Sequence, residues 1–233
     1  MTHKVLIFTT CNLFAFLYFG NDLLIKFEDQ TPSVVLKKHG TEVIQNAKRM
    51  PSDGSNFSTY SRCLSTVGRT HIHSELKTVL LESYKNLEIT APHIKWIYAE
   101  MGWKNGGHFW PHKTHRNGLC VDFIVPVINQ KKKIPTTFYL WPFNGYGYKV
   151  RFNKMGMHNH YKIDFQSLIL HLNSLKESSA KHGLRIKRII LDPPLLRQLK
   201  NEPTYKLIAD IPFMDKQAWF PHDSHYHVDF AFK

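Results

Sequence analysis

The chain has 233 residues, with Lys and Arg numbering 31 against 18 Asp and Glu, a formal charge of +13. That length suits one catalytic domain with an N-terminal appendage and is short for two full domains. The charge turns the surface toward polyanions such as acidic wall polymers, anionic lipid or nucleic acid. Three cysteines, none in a C-x-x-C spacing, are too few for a disulfide scaffold and give no structural zinc finger.

Met1 to Lys4 makes a short positive start, and Val5 to Phe19 is almost wholly apolar before Asn21-Asp22 ends the run. This reads as an export signal or membrane anchor over residues 1–22, with no small-x-small cleavage pattern near Gly20 and the bulk of the chain outside the cytoplasm. Residues 23–57, with Pro32, Pro51 and the Ser52-Asp53-Gly54-Ser55-Asn56 stretch, read as a linker or arm. The remaining residues, 58–233, are expected to form the functional domain.

Within that domain, Ser74 to Asn86 repeats Leu76, Val79, Leu80 and Tyr84 at helical spacing behind a Ser N-cap. His93 to Met101 alternates as a strand, and Cys120 to Val127 reads as another. Asp164 to Lys181 is the clearest helix, with Asp at its start, Leu168, Ile169, Leu172 and Leu175 on one stripe, and Gly183 just past its end. Leu184 to Leu191 is a basic-apolar strand, Pro194 to Lys200 a short proline-initiated helix, and His225 to Phe232 a final alternating strand. The order lacks a βαβ rhythm, so the fold class is α+β with a central, largely antiparallel sheet and flanking helices.

Of fifteen histidines, six cluster in two short stretches, His108 to His115 and His222 to His227, unlike histidines scattered for packing. A catalytic zinc takes three nitrogen or carboxylate ligands and leaves one position open. His115 and Asp122 flank the Asn117-Gly118 turn, and His225 and His227, two apart on a strand, point to the same side. Other groups have plainer readings. His108 fits a packed or surface histidine, Trp103, Trp110, Tyr139 and Trp141 fit the core better than a substrate groove, Asp192 fits a turn, and Arg185, Lys187 and Arg188 fit a solvated strand edge. Cys63 and Cys120 suit either a disulfide or two thiols.

The patterns H-x-x-H-x-x-G-x-x-x-D at His112 to Asp122 and H-D-x-H-x-H-V at His222 to Val228 resemble those of the penicillin-insensitive murein endopeptidases. These belong to the superfamily of lysostaphin-type peptidases, D-Ala-D-Ala metallopeptidases and the hedgehog N-terminal domain. The likeness covers roughly residues 90 to 233. It implies a hedgehog/DD-peptidase-like fold and Zn2+ held by His115, Asp122 and His227. It also implies His225 as catalytic, His222 as a further active-site histidine and His112 as an additional metal contact. The activity implied is hydrolysis of peptide crosslinks in the peptidoglycan of the periplasm or cell envelope, for wall growth or for a secretion apparatus. The partners implied are peptidoglycan peptide stems, the inner membrane and envelope assembly proteins, with no nucleic acid. Two departures from the pattern are Cys120, in place of an acidic or small polar residue, and Asp229, in place of a basic one. A second metal pair has no clear match, His158 and His160 being candidates by composition alone. Rival readings are a non-catalytic zinc-containing wall-binding module and a His-metal nuclease.

Overall fold

A computed structural model describes the backbone of residues 2–38 and 40–233 and the side chains of residues 14–37 and 40–233. In chain order the elements are α1 (Thr2–Ile25), β1 (Val34–Lys38), β2 (Thr41–Gln45), β3 (Lys48–Arg49), β4 (Phe57–Thr59), α2 (Arg62–Thr66) and β5 (His71–Ile72). There follow α3 (Ser74–Thr90), β6 (Trp96–Tyr98), β7 (Cys120–Ile124), β8 (Val127–Asn129), β9 (Ile134–Thr136), β10 (Met157–His158) and β11 (Tyr161–Ile163). The chain ends with α4 (Phe165–Lys181), β12 (Leu184–Ile190), α5 (Pro193–Lys200) and β13 (His225–Phe232).

The central sheet has the order β12-β13-β7-β6-β4 and is antiparallel except for the parallel pair β4 and β6. A second sheet, β10-β11-β8-β9, is wholly antiparallel. This is the mixed helix-and-sheet architecture expected of an α+β chain. Alternation along the strands sorts the central pair β7 and β13 into two faces. Tyr226, Val228 and Phe230, with Val121 and Phe123, are buried in the apolar core. There Trp96, Phe123 and Tyr226 pack around His171 of α4. The opposite face carries His225, His227 and Asp229 of β13, with Cys120 and Asp122 of β7.

Helices α3 and α4 bury the stripes that their sequences display, Leu76, Val79, Leu80 and Tyr84 on one and Leu168, Ile169, Leu172 and Leu175 on the other. Ser83 and Ser174, both buried, let them approach closely, with Ser174 Oγ donating to the Ser83 carbonyl at 3.0 Å. Asp164 caps α4 by accepting from the Ser167 N–H at 3.0 Å. In α3 the cap is His73, whose Nδ1 accepts from Glu75 N–H at 3.2 Å, and the expected cap Ser74 lies in the first turn.

Several expectations change in extent. Only Trp96–Tyr98 of the 93–101 stretch is paired as a strand, and the run from Cys120 to Val127 is split at Val125-Pro126 into β7 and β8. Residues 23–57, expected as a linker or arm, instead supply the β1-β2 hairpin and strand β3 and bury Ile44, Ala47, Met50 and Ser52. The end of α1 ties down the last part of this stretch. Gly20 and Asn21 are buried against α2, and the Asn21 amide donates to the Met50 carbonyl at 2.8 Å and Ser52 Oγ at 3.0 Å. The side chains of residues 1–13, the first half of the apolar run, lie outside the described residues. Among the described residues, no helix is long and apolar enough to cross a membrane. Cys63 is exposed and Cys120 buried, and both are free thiols.

Candidate metal centre

Strand register builds the centre. On β13 and β7, His227 lies directly opposite Asp122, which brings its Nδ1 to 2.7 Å from Asp122 Oδ1. The third group arrives from the loop before β7. His115 adopts a left-handed backbone, with φ 62°, a conformation uncommon outside glycine and typical of functional turns. Its Nε2 stands 3.2 Å from Asp122 Oδ1 and 3.1 Å from His227 Nδ1. All three side chains are buried. Two ligands at about 2.05 Å on a tetrahedral zinc are roughly 3.3 Å apart, so the triangle has the dimensions of one face of such a site.

The remaining polar atom of each residue is already engaged. His115 Nδ1–H donates to the Met101 carbonyl at 2.9 Å, which leaves Nε2 as the nitrogen with a lone pair. Asp122 Oδ2 accepts from the Tyr148 hydroxyl at 2.8 Å, which leaves Oδ1. His227 Nε2 faces Asp229 Oδ1 at 2.8 Å, which leaves Nδ1. Outer contacts of this kind orient the ligands in metal sites, and here they aim three donor atoms at one point.

Electrostatics agrees with a site that wants a cation. Burial opposes the Asp122 charge, but His115 and His227 outweigh it and hold the carboxyl well below the usual range. Burial also disfavours a charged His227, yet the carboxylates of Asp122 and Asp229 keep it well above the usual histidine range. Burial keeps His115 below its ordinary value despite Asp122, as a neutral ligand requires. Tyr148 is pushed well up by burial and by Asp122, so it remains a donor.

His112 lies beside the triangle, its Nδ1 3.9 Å from Asp122 Oδ2 and its Nε2 2.6 Å from Glu100 Oε2. His112, His115 and Asp122 bring donor atoms within 4.8 Å of one another, a grouping able to hold a metal, as are Cys120, His227 and Asp229. His158 is turned elsewhere, to the Arg151 carbonyl at 2.9 Å, and neither it nor His160 belongs to these groups among the described residues.

His222 and His225 sit on the open side, with ring centroids 4.6 Å apart. The Phe220 carbonyl holds His222 Nδ1–H at 2.8 Å, so Nε2 carries the lone pair. Asp192 does more than form a turn, because its Oδ1 accepts from the His222 N–H at 2.8 Å and fixes that residue in place. His225 is buried, and its Nε2 has no hydrogen-bond partner within the protein. Burial and the neighbouring His222 hold it well below the usual histidine range, hence neutral. Both histidines line a cavity of about 360 Å3 that also reaches Lys113, Tyr148, Arg188 and Trp219.

Sequence reasoning missed Tyr148 and Glu100 and the roles of Arg188, read as part of a solvated strand edge, Asp192 and Asp229. For Asp229 a signal existed, because the alternation His225, His227, Asp229 places all three on one strand face. Tyr148 carried none, since it reaches Asp122 only through tertiary packing. Trp110, Tyr139 and Trp141, read as packing residues, are exposed at 74%, 72% and 54%. In comparison with known proteins, the chain matches no family model and no curated sequence.

Proposed function

We propose that the chain is a zinc-dependent peptidase of the murein endopeptidase type, acting on peptide crosslinks of peptidoglycan in the cell envelope. One observation carries this reading. Three buried donor atoms converge with zinc-like spacing, each with its other polar atom already bonded, while two neutral histidines face a cavity beside them.

Bound there, zinc supplies Lewis acidity toward a peptide carbonyl and toward water. His115, Asp122 and His227 would hold it, with His112 at the rim. His222, with Nδ1 tied to the Phe220 carbonyl, accepts a proton at Nε2 and returns it to the leaving amine. His225 offers its unpartnered Nε2 to the oxygen on which charge develops. Lys113 and Arg188 give the cavity wall a positive character that suits the carboxylates of acidic stem peptides. The charge of +13 favours residence on an anionic wall, and the N-terminal apolar run favours export or attachment at the membrane.

The test is made on the full chain. Natively purified protein is expected to contain one zinc and to release muropeptides from sacculi in a chelator-sensitive way, and His227→Ala should lose both properties. Mass analysis of the products identifies the bond cut. Metal-free native protein, or full activity in His227→Ala, would sink the assignment.

A further inference from the structure

The most unusual feature of the centre lies behind the ligands. Asp229, 7% exposed, accepts hydrogen bonds from three residues. His227 Nε2–H reaches Oδ1 at 2.8 Å, the Cys120 thiol reaches the same oxygen at 3.1 Å, and Arg188 Nε reaches Oδ2 at 2.8 Å. Strand register dictates the arrangement. Asp229 is paired with Cys120 on β7 and with Arg188 on β12, and it lies two residues from His227 on the same face.

Cys120, His227 and Asp229 are also spaced closely enough to hold a metal of their own. Two facts argue for another role. An imidazole that binds a metal through one nitrogen ordinarily donates a hydrogen bond through the other, and His227 Nδ1 already faces Asp122 and His115. In addition, the Arg188 guanidinium occupies Asp229 Oδ2, placing a fixed positive charge where a second cation would have to sit.

We propose that Asp229 is a positioning residue for the metal centre. With Arg188 and Cys120 as its supports, it fixes the His227 ring so that Nδ1 is the only ligand nitrogen and the site holds one ion. The inference rests on the zinc reading given above. Asp229 touches neither metal nor substrate and acts entirely through His227. Cys120, two residues before Asp122 on the same face of β7, serves as a thiol donor to that clasp and never as a thiolate ligand.

The experiment measures zinc affinity of the full chain by chelator competition, together with the visible spectrum of the Co(II)-loaded protein. Asp229→Ala is expected to weaken zinc binding about 10- to 100-fold, the range typical of lost outer-shell partners. Asp229→Asn, which keeps an acceptor for Nε2–H, is expected to recover part of that loss. Cys120→Ser is expected to leave one metal per chain and an unchanged Co(II) spectrum, without a thiolate charge-transfer band in the parent. Circular dichroism of the metal-free variants identifies any that fail to fold, and Asp229→Asn then supplies the comparison. Zinc bound at parental affinity by folded Asp229→Ala, or no recovery in folded Asp229→Asn relative to Asp229→Ala, overturns the inference while leaving the peptidase reading intact. A thiolate band, or a second metal lost in Cys120→Ser, overturns it in favour of a Cys-His-Asp site. A parent chain that binds no zinc fails at the earlier step and removes both.

Discussion

At the scale of single residues, the centre is made by constraint as much as by ligand identity. A histidine offers two nitrogens and a carboxylate two oxygens, and a metal site needs one of each held in a known direction. For His115 the direction is set by the Met101 carbonyl and a left-handed backbone, and for Asp122 it is set by Tyr148. Tyr148→Phe isolates the last contribution, because the ring can keep its packing against His225 and Tyr60 while the hydroxyl is lost. Zinc affinity is expected to fall about tenfold or more. The metal-free chain should also lose about 1–3 kcal/mol of unfolding free energy, because the Glu100 N–H, which donates to the Tyr148 hydroxyl at 3.3 Å, is left without a partner, while Asp122 keeps its bond to His227. Equal zinc affinity in parent and variant, measured by chelator competition, would show that Asp122 needs no such support.

At the scale of elements, the N-terminal helix is fastened to the domain by a group of contacts in which Asn21 is the buried side chain, beside Asp22 and the Leu17 carbonyl. Asn21 is fully buried, donates to the Met50 carbonyl and Ser52 Oγ, and accepts from Arg49 Nη1 at 3.1 Å. Asn21→Ala leaves those partners unsatisfied in a closed contact, and the expected loss is about 1–3 kcal/mol of unfolding free energy. Urea denaturation of the full chain measures it, and a midpoint equal to that of the parent would mean that α1 docks by other contacts. This attachment was illegible in the sequence because the partners of Asn21 are 28 to 45 residues away and one of them is a backbone carbonyl. Elements with their own periodicity were legible. The stripe and Asp164 cap of α4, the stripe of α3 and the alternation of β13 each follow from local pattern, and the strand read over 225–232 is β13 itself. Short strands such as β3, β5 and β10 were not, since two residues carry no period and their pairing is decided by distant partners. The same distinction divides the centre. His115, Asp122, His225 and His227 stand out by spacing, whereas Tyr148 and Arg188 join them only through the folded chain.

At the scale of the whole molecule, burying so many histidines makes the fold sensitive to acid. Burial pushes His71 down to about 4 and His171 down to about 3. His171 is closed in by Trp96, Tyr84, Phe123 and Tyr226, and its Nε2 has no partner, so no counter-charge is at hand if it is protonated. The unfolded chain takes up these protons near pH 6.5, and the folded chain only near 4 and 3. Between those limits the unfolded state binds more protons, so stability is fully present above about pH 6.5 and is lost as the pH falls toward 3. His222 and His225, also depressed by burial, add to the slope in the metal-free chain, whereas His227, raised by its carboxylates, opposes it because a raised group stabilises most at low pH. One variant separates His171 from the rest. His171→Gln cannot be protonated and retains a polar group near the Tyr226 hydroxyl, so it lowers stability at pH 7 through altered packing but should flatten the acid limb. Each histidine contributes at most about 1.4 kcal/mol per pH unit, so urea midpoints taken from pH 7 to 4.5 should fall measurably less steeply in the variant than in the parent. Parallel limbs would place the acid sensitivity in His71 and the histidines of the centre rather than in His171.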